Sequence, residues 1–217
     1  MTTDQLHSNE TKMKILQTAQ GLFSKFGFDG TSIRDIAKES EVNLAAINYH
    51  FKNKENLFWE IIGASYERSD EISRRISETA VNLEDFASKL FDHFHAEQDL
   101  IRNTMKMLLS EKLVPPPESH FCQQMQKGSM GPPGKQYLAQ FLTQEIPYKL
   151  KPSAIFWGVK SIFGTIIHWS TMCTTGHFEA MAEVEPMLKP QQIRRDVQMI
   201  VNATIEYMRN HPEHFKA

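Results

Sequence analysis

The sequence has few cysteines, little net charge and no long apolar run, and each shortage excludes a class of protein. Two cysteines, Cys122 and Cys173, allow at most one disulfide in 217 residues, which excludes a disulfide-stabilised scaffold. No run of about 18 apolar residues is present, so we expect no membrane-spanning helix. Residues 1–12 are polar and lack the apolar core of a secretion signal. We therefore expect a cytoplasmic protein with reduced thiols and no membrane partner.

The formal net charge is also small, at −2. This value argues against a protein that binds polyanions over its whole surface. Any nucleic-acid surface must therefore be local, and it must depend on where a few basic residues are placed.

Motifs of enzymes and of metal sites are missing as well. The sequence has no glycine-rich phosphate loop, no nucleophile elbow and no Cys-x-x-Cys pair. His93 and His95 lie two residues apart, so on a helix they point about 200° apart and do not share an ion. His168, Cys173 and His177 lack the spacing of a zinc site. We expect neither an enzyme nor a bound metal or cofactor.

Helical periodicity dominates the sequence, and no segment alternates for long enough to form a strand. The pattern predicts an all-α fold. A first helix ends at Gly27, short helices follow Ser32 and Asn43, and Asn53 caps a long fourth helix. The helices from the fourth onward are predicted over residues 54–79, 83–97, 99–113, 118–127, 135–146, 153–173 and 191–210, with a loose acidic stretch at 174–190.

The two short helices have the pattern of a helix-turn-helix. Ser32 with Asp35 forms a capping box, and a four-residue break separates the first short helix from the second. In the second helix Ile47 and Phe51 face inward. The opposite face is small, polar and aromatic, which suits neither a core nor a charged solvated surface; it comprises Ala45, Asn48, Tyr49 and Lys52. A plain three-helix bundle is the alternative interpretation.

In a helix-turn-helix the second helix lies in the major groove of DNA. Ala45 is small enough to contact a thymine methyl group, and Asn48 can pair with adenine. Tyr49, His50, Lys52 and Lys54 are suited to phosphate oxygens, and the start of the Ser32 helix favours another phosphate. The full set of predicted DNA-binding residues is Thr31, Ser32, Arg34, Leu44, Ala45, Asn48, Tyr49, His50, Lys52 and Lys54.

Residues 9–58 resemble the DNA-binding region of the TetR family of transcriptional regulators. The order and spacing are kept by Ile15, Ala19, Phe23, Gly27, Thr31-Ser32-Ile33, Ile36-Ala37, Val42, Ile47-Asn48-Tyr49-His50-Phe51, Asn53-Lys54-Glu55 and Leu57-Phe58. Two departures concern the motif itself. Glu41 stands in the turn where the family commonly has glycine, and Ala45-Ala46 replaces a common Gly-Thr.

The resemblance implies a DNA-binding domain at residues 9–54 and a helical effector-binding and dimerisation domain at 55–217, with about nine helices in total. It also implies a homodimer on double-stranded DNA, released from a near-palindromic operator by a small apolar or amphipathic effector. The function expected is that of a regulator, most simply a repressor. The alternative is a DNA-binding protein of the same fold that organises chromosomes or recruits partners without an effector.

Two sets of residues are predicted in the second domain. Soft methionine and aromatic side chains suit an adaptable apolar pocket, although such residues also form ordinary cores. The pocket is predicted at Phe91, Phe94, Met105, Leu108, Phe121, Met125, Phe163 and Ile167. The resemblance places the dimer interface on the last two long helices, at Phe156, Val159, Phe163, Ile193, Val197, Ile200, Val201 and Ile205, with Gly158 and Gly164 allowing close approach.

Overall fold

A computed structural model describes the backbone of residues 3–110, 113–117, 119, 121–122 and 132–217. Those ranges contain eleven α-helices and no strand, apart from a single antiparallel bridge between Leu150 and Lys216. The all-α prediction is confirmed. The helices are α1 Thr3–Phe26, α2 Ile33–Glu39, α3 Leu44–Phe51, α4 Lys54–Ser77, α5 Leu83–Ala96, α6 Gln98–Ser110, α7 Lys135–Glu145, α8 Pro152–Met172, α9 Gly176–Val184, α10 Pro190–Asn210 and α11 Pro212–Phe215.

The predicted segments at 174–190, 99–113 and 118–127 differ from the helices that the structure describes or lie partly outside the described residues. The loose stretch predicted at 174–190 is wrong, because it contains α9 and a 3-10 turn at Pro186–Leu188. The Thr175 hydroxyl accepts from the Phe178 amide at 3.3 Å and caps α9, while the Phe178 side chain is buried. Helix α6 is described as far as Ser110, residues 111 and 112 lie outside the described residues, and residue 113 is not helical, ahead of the three prolines at 115–117. The helix predicted over 118–127 falls mostly outside the described residues.

The chain divides into two compact units. The first unit comprises Met1–Tyr66 and Arg102–Met130, and the second comprises Glu67–Ile101 and Gly131–Ala217. These bounds describe where the chain packs. The functional boundary between residues 54 and 55 stays a prediction.

The core of the first unit is built from α1, α2, α3 and the start of α4. Phe23, Phe28 and Phe58 pack as a triad with ring centroids 5.6 to 5.8 Å apart. The most deeply buried residues around this triad are Ile15, Ala19, Ile36, Ile47, Leu57 and Met107. This core fixes the orientation of α2 and α3.

The second unit packs α5, α7, α8 and α10 against one another. Gly158 lies at a tight point, because a Cβ there would come within 2.6 Å of the Leu142 Cδ2 atom. The close approach predicted at Gly158 is therefore made to the chain's own α7, while a Cβ at Gly164 would meet nothing within 4 Å. Among the described residues, no helix has the combination of length and apolarity that crossing a membrane requires.

Candidate nucleic-acid interface

The start of α2 carries the capping box that the sequence predicts. The Ser32 hydroxyl accepts from the Asp35 amide at 3.1 Å, and the Asp35 carboxylate accepts from the Ser32 amide at 3.0 Å. The Ser32 hydroxyl also lies 2.6 Å from that carboxylate. These hydrogen bonds to Ser32, followed by the nearby charge of Lys38, lower the pKa of Asp35. A phosphate at Ser32, which stays a prediction, would therefore approach an ionised carboxylate.

The turn between α2 and α3 is held by hydrogen bonds inside the chain. The buried Ser40 hydroxyl donates to the Ile36 carbonyl at 2.6 Å, and the Val42 amide donates to the Ala37 carbonyl at 3.0 Å. Glu41 has a φ of 52°, so the position is left-handed even though it is not glycine. Its carboxylate lies 3.2 Å from Lys14 Nζ, but both side chains are exposed and such pairs contribute little. The left-handed backbone costs about 1 kcal/mol here.

Helix α3 begins at Leu44 and is capped by Asn43, whose side chain accepts from the Ala45 amide at 2.9 Å. The inner residues Ile47 and Phe51 are buried, as predicted. The outer residues Ala45 and Asn48 are exposed, as are Tyr49 and Lys52. Tyr49 has 81% of its surface exposed, an unusual value for an aromatic residue in a folded unit.

His50 lies at the edge between the two faces of α3. It is half-buried, and its ring centroid is 5.2 Å from that of Tyr49. Burial, and then the charge of Lys12, lower the pKa of His50. The imidazole is therefore neutral at neutral pH, and a contact to phosphate would be an ordinary N–H hydrogen bond rather than an ion pair.

Lys54 and Thr31 are already engaged within the first unit. Lys54 Nζ donates to the carbonyls of Phe28 at 2.8 Å and of Thr31 at 3.1 Å. It also lies 4.1 Å from the centroid of the Phe28 ring. The buried Thr31 hydroxyl donates to the Gly27 carbonyl at 2.9 Å. Lys54 therefore keeps one ammonium proton for another partner, and the Thr31 hydroxyl has its donor in use.

The exposed cations Arg34 and Lys52 differ from Lys54. Neither makes a side-chain hydrogen bond or an ion pair within the described residues, and both side chains are exposed. Lys52 follows α3 directly and has a φ of 64°. These two cations are the basic groups near α3 that are most available to an anion.

Residues 15–61 match the family model of the bacterial regulatory proteins of the tetR family. Over these residues the chain is similar to the tetR family. The prediction made from residues 9–58 is thus confirmed, and the matched range contains the whole of α2, the turn and α3. It also ends within α4, so the match covers most of α1, the helix-turn-helix and the start of α4.

Known relatives agree over the same region. The chain is 47% identical over 57 residues to the probable HTH-type transcriptional regulator YttP of Bacillus subtilis, which covers 26% of this chain and 28% of YttP. It is 34% identical over 61 residues to IcaR of Staphylococcus aureus, the negative transcriptional regulator of the biofilm operon icaADBC, which covers 28% of this chain and 33% of IcaR. The chain thus matches about a third of the length of these relatives.

The fold resemblance extends further than the sequence identity. A transcriptional regulator structure from Pseudomonas aeruginosa PAO1 superimposes with a TM-score of 0.66, covering 92% of each chain at 16% identity. At this identity the similarity shows the fold alone. It supports the predicted architecture, an N-terminal helix-turn-helix followed by a larger helical region.

The residues predicted to line an effector pocket are divided between the two compact units. Met105, Leu108 and Phe121 belong to the first unit, where Phe121 stacks on Trp59 with ring centroids 5.3 Å apart. Phe91 and Phe94 are fully buried in the core of the second unit. Met125 lies outside the described residues, and the half-buried Phe163 and Ile167 complete the second-unit group. The pocket stays a prediction.

The predicted dimer residues divide into buried and exposed groups. Phe156 is 61% exposed and Ile200 is 38% exposed, so both have surface to offer a partner. Phe163 is half-buried. The side chains of the other five pack inside the second unit, because α10 lies against α5 and α8; they are Val159, Ile193, Val197, Val201 and Ile205. Burial within the second unit leaves these five little surface for a partner, and the dimer interface stays a prediction.

The same two helices expose apolar residues that the sequence reasoning missed. They are Trp157, Met172, Met199 and Tyr207, of which Met199 is 66% exposed. Periodicity separates the inner from the outer face of such a helix, but a helix with apolar residues on both faces does not show which neighbour covers each. No group of three His, Cys, Asp or Glu side chains that could hold a metal is found among the described residues.

Proposed function

We propose that the chain is a sequence-specific DNA-binding transcriptional regulator that places α3 in the major groove. The observation that carries the proposal is the exposed outer face of α3 in a tetR-family domain, held in place by the buried Ile47 and Phe51. The side chains of this outer face are not packed within the chain, so they are open to a partner. Base edges and phosphates provide the donors, acceptors and methyl groups that this face matches.

Two residues of α3 are proposed to read sequence. Ala45 lies in the first turn, where recognition helices approach the base edges most closely, and its methyl group fits against a thymine methyl. Asn48 lies one turn later on the same face and can make two hydrogen bonds to adenine. Leu44, which is partly exposed at the start of α3, supplies a further apolar contact.

Phosphate contacts are proposed for the residues around this face. Arg34 and Lys52 bring charges that no group within the described residues satisfies, and Tyr49 extends its hydroxyl from an exposed ring. Lys54 contributes through its remaining proton, and His50 through a neutral N–H group. Such contacts position α3 without reading sequence.

The regulator is proposed to act as a homodimer on a near-palindromic operator. Two recognition helices then lie one helical turn apart, at roughly 34–36 Å. Exposed apolar residues on α8 and α10 provide the interface, with Phe156, Trp157, Met199, Ile200 and Tyr207 as its components. Apolar patches of this kind are typical of protein–protein interfaces.

Repression relieved by a small apolar or amphipathic effector is the proposed mode of action. IcaR, which resembles this chain over the DNA-binding region, is described as a negative regulator. Helix α4 contributes residues to both compact units, and ligand-dependent movement of α4 is the proposed route of signalling. An effector that favours a conformation with the wrong head spacing lowers operator affinity by population shift.

Selection from sheared genomic DNA tests this function. Purified protein should enrich a few fragments, and footprinting should show a near-palindrome with half-sites one helical turn apart. The matched control is a protein carrying Asn48→Ala and Tyr49→Ala, which keeps the inner face of α3. Enrichment of unrelated fragments, equal for both proteins, would contradict the proposal.

A further inference from the structure

An open cleft of about 510 Å³ lies within the second unit. Its walls come from the end of α5, the end of α8, one face of α9 and the 3-10 turn that follows. The residues that matter for its chemistry are His95, Cys173, Phe178, Glu179, Glu183 and Leu188. None of them belongs to the pocket that the sequence predicts, because the stretch containing α9 was expected to be loose.

The floor of the cleft is apolar. Phe178 and Cys173 are buried, and Leu188 is half-buried. Burial raises the pKa of the Cys173 thiol to about 11, so the thiol is uncharged at neutral pH and behaves as a small apolar group. An aromatic or aliphatic body can therefore lie on this floor and lose contact with water.

His95 adds an aromatic wall. Its ring stacks on Phe91 with centroids 6.0 Å apart and an interplanar angle of 9°. Its Nδ1 atom is buried and finds no hydrogen-bond partner among the residues that the structure describes. A buried N–H without a partner is costly, which favours the tautomer with the proton on Nε2. The ring therefore offers the cleft a flat apolar face and one polar edge.

The rim of the cleft is charged, whereas its floor is apolar. Glu179 and Glu183 lie four residues apart on α9 and so share one face of that helix. Both are exposed, and neither makes an ion pair or a side-chain hydrogen bond within the described residues. Lys189, also exposed, is the cationic side chain among the residues that line the cleft, so the rim carries a net charge of one negative unit.

We propose that this cleft binds a small amphipathic cation. An aromatic or aliphatic body lies against Phe178 and Leu188, and a single ammonium group lies between Glu179 and Glu183. The assignment deepens the proposed function, on which its role as an effector site rests, by naming the chemical class of the effector. Two unpaired carboxylates at the mouth of an apolar cleft favour this class over an anion or a neutral lipid.

Fluorescence titration without DNA tests the binding site. The probe is dansylcadaverine, a dansyl group with a primary amine, and its matched control is dansyl-6-aminohexanoate, which carries a carboxylate instead. The wild-type chain should bind the amine saturably with a blue-shifted emission, and it should bind the carboxylate at least about fivefold more weakly. Equal affinity for the two probes, or no saturable binding of the amine, would overturn the proposal.

Three variants locate the bound amine. Glu179→Gln with Glu183→Gln should weaken its binding about fivefold, and Lys189→Gln should strengthen it about twofold, because exposed charge pairs have effects of this size. Ala182→Trp should fill the cleft and remove the binding of both probes. Glu206→Gln, which also removes an exposed carboxylate but lies on α10 outside the cleft, is the control and should leave the binding of the amine unchanged. If neither the double glutamine variant nor Ala182→Trp weakens the binding of the amine, the amine binds elsewhere and the proposal is wrong.

The two proposals fail in different ways. Binding of the amine is measured with the protein alone and does not depend on an operator. A chain that selects no operator contradicts the proposed regulator and leaves the cleft result standing. A chain that selects an operator but binds neither probe overturns the cleft and leaves the regulator standing.

Discussion

Helices α3 and α10 are both amphipathic, but their exposed residues differ in kind. The inner face of α3 is buried through Ile47 and Phe51, and the inner face of α10 is buried through residues such as Val197 and Val201. The same periodicity predicts both buried faces. What α3 leaves exposed is a mixture of small, polar and aromatic side chains, including Asn48 and Tyr49, whereas α10 exposes the aliphatic Met199 and Ile200.

The difference shows that the exposed face carries the functional information. A row of buried apolar residues shows only that a helix packs against its own chain. An outer face with hydrogen-bonding groups and few charges fits a partner with hydrogen-bonding edges, as DNA has in its major groove. An apolar outer face fits a second protein surface. The proposed DNA contact and the proposed dimer contact follow from this one distinction.

The largest effect is expected from a substitution on the buried inner face of α3. Phe51→Ala should lower the free energy of unfolding by about 3–5 kcal/mol, because a buried ring leaves a cavity. Tyr49→Ala, on the outer face, should change it by less than about 0.5 kcal/mol. Urea denaturation followed by circular dichroism measures both. Similar losses for the two variants would show that the two faces are not distinct.

The next effect concerns the outer face of α10. Ile200→Arg should place a charge without a counter-ion in the dimer interface and weaken the dimer by about 3 kcal/mol or more. Sedimentation velocity should then show monomers. Anisotropy titration should show that these monomers no longer bind the operator. Its neighbour provides the control, since Val201→Ala should reduce stability but leave a dimer. A wild-type chain that is monomeric at micromolar concentration would end the argument for this interface.

Asn48→Ala tests the outer face of α3 itself. If Asn48 reads adenine, the change should cost about 1–3 kcal/mol on the best operator and relax the preference at one base pair in each half-site. Anisotropy titrations on operators with each substitution at that pair measure the effect. Equal losses on all of these sequences would make Asn48 a positioning residue.

The smallest effect concerns the turn before α3. The backbone at Glu41 is left-handed, a conformation that glycine adopts without strain. Glu41→Gly should therefore raise the free energy of unfolding by about 0.5–1 kcal/mol. The same change at Glu39, which has helical backbone at the end of α2, should lower it. Thermal unfolding of the two variants gives the comparison. A loss of stability for Glu41→Gly would mean that the Lys14 pair outweighs the backbone strain.

Local features of the fold could be predicted from the sequence because they depend on neighbouring residues. Asn53 is an example, since its side chain accepts from the Asn56 amide at 2.7 Å and starts α4 as predicted. The capping box of α2 and the cap of α3 belong to the same group. The buried and exposed faces of α3 could also be predicted, because a short helix with two large apolar residues on one side packs with that side inward.

Features that depend on distant packing could not be predicted in the same way. Val197 and Ile200 are both apolar and three residues apart, yet the first is buried by α10's own neighbours and the second is partly exposed. Phe91 and Phe94 suit a pocket or a core equally well from composition. Helix α9 carries a capping threonine and one buried aromatic, a signal too weak to separate it from an acidic loop.

The most direct test of the central claim compares two duplexes. The affinity of the wild-type chain for its selected near-palindrome is measured against a scrambled duplex of the same length, by anisotropy at fixed salt. The account predicts a ratio of about 10³ or more, reduced strongly when the outer face of α3 is changed at Ala45 and Asn48. Equal affinity for the two duplexes, unchanged by those substitutions, would contradict it.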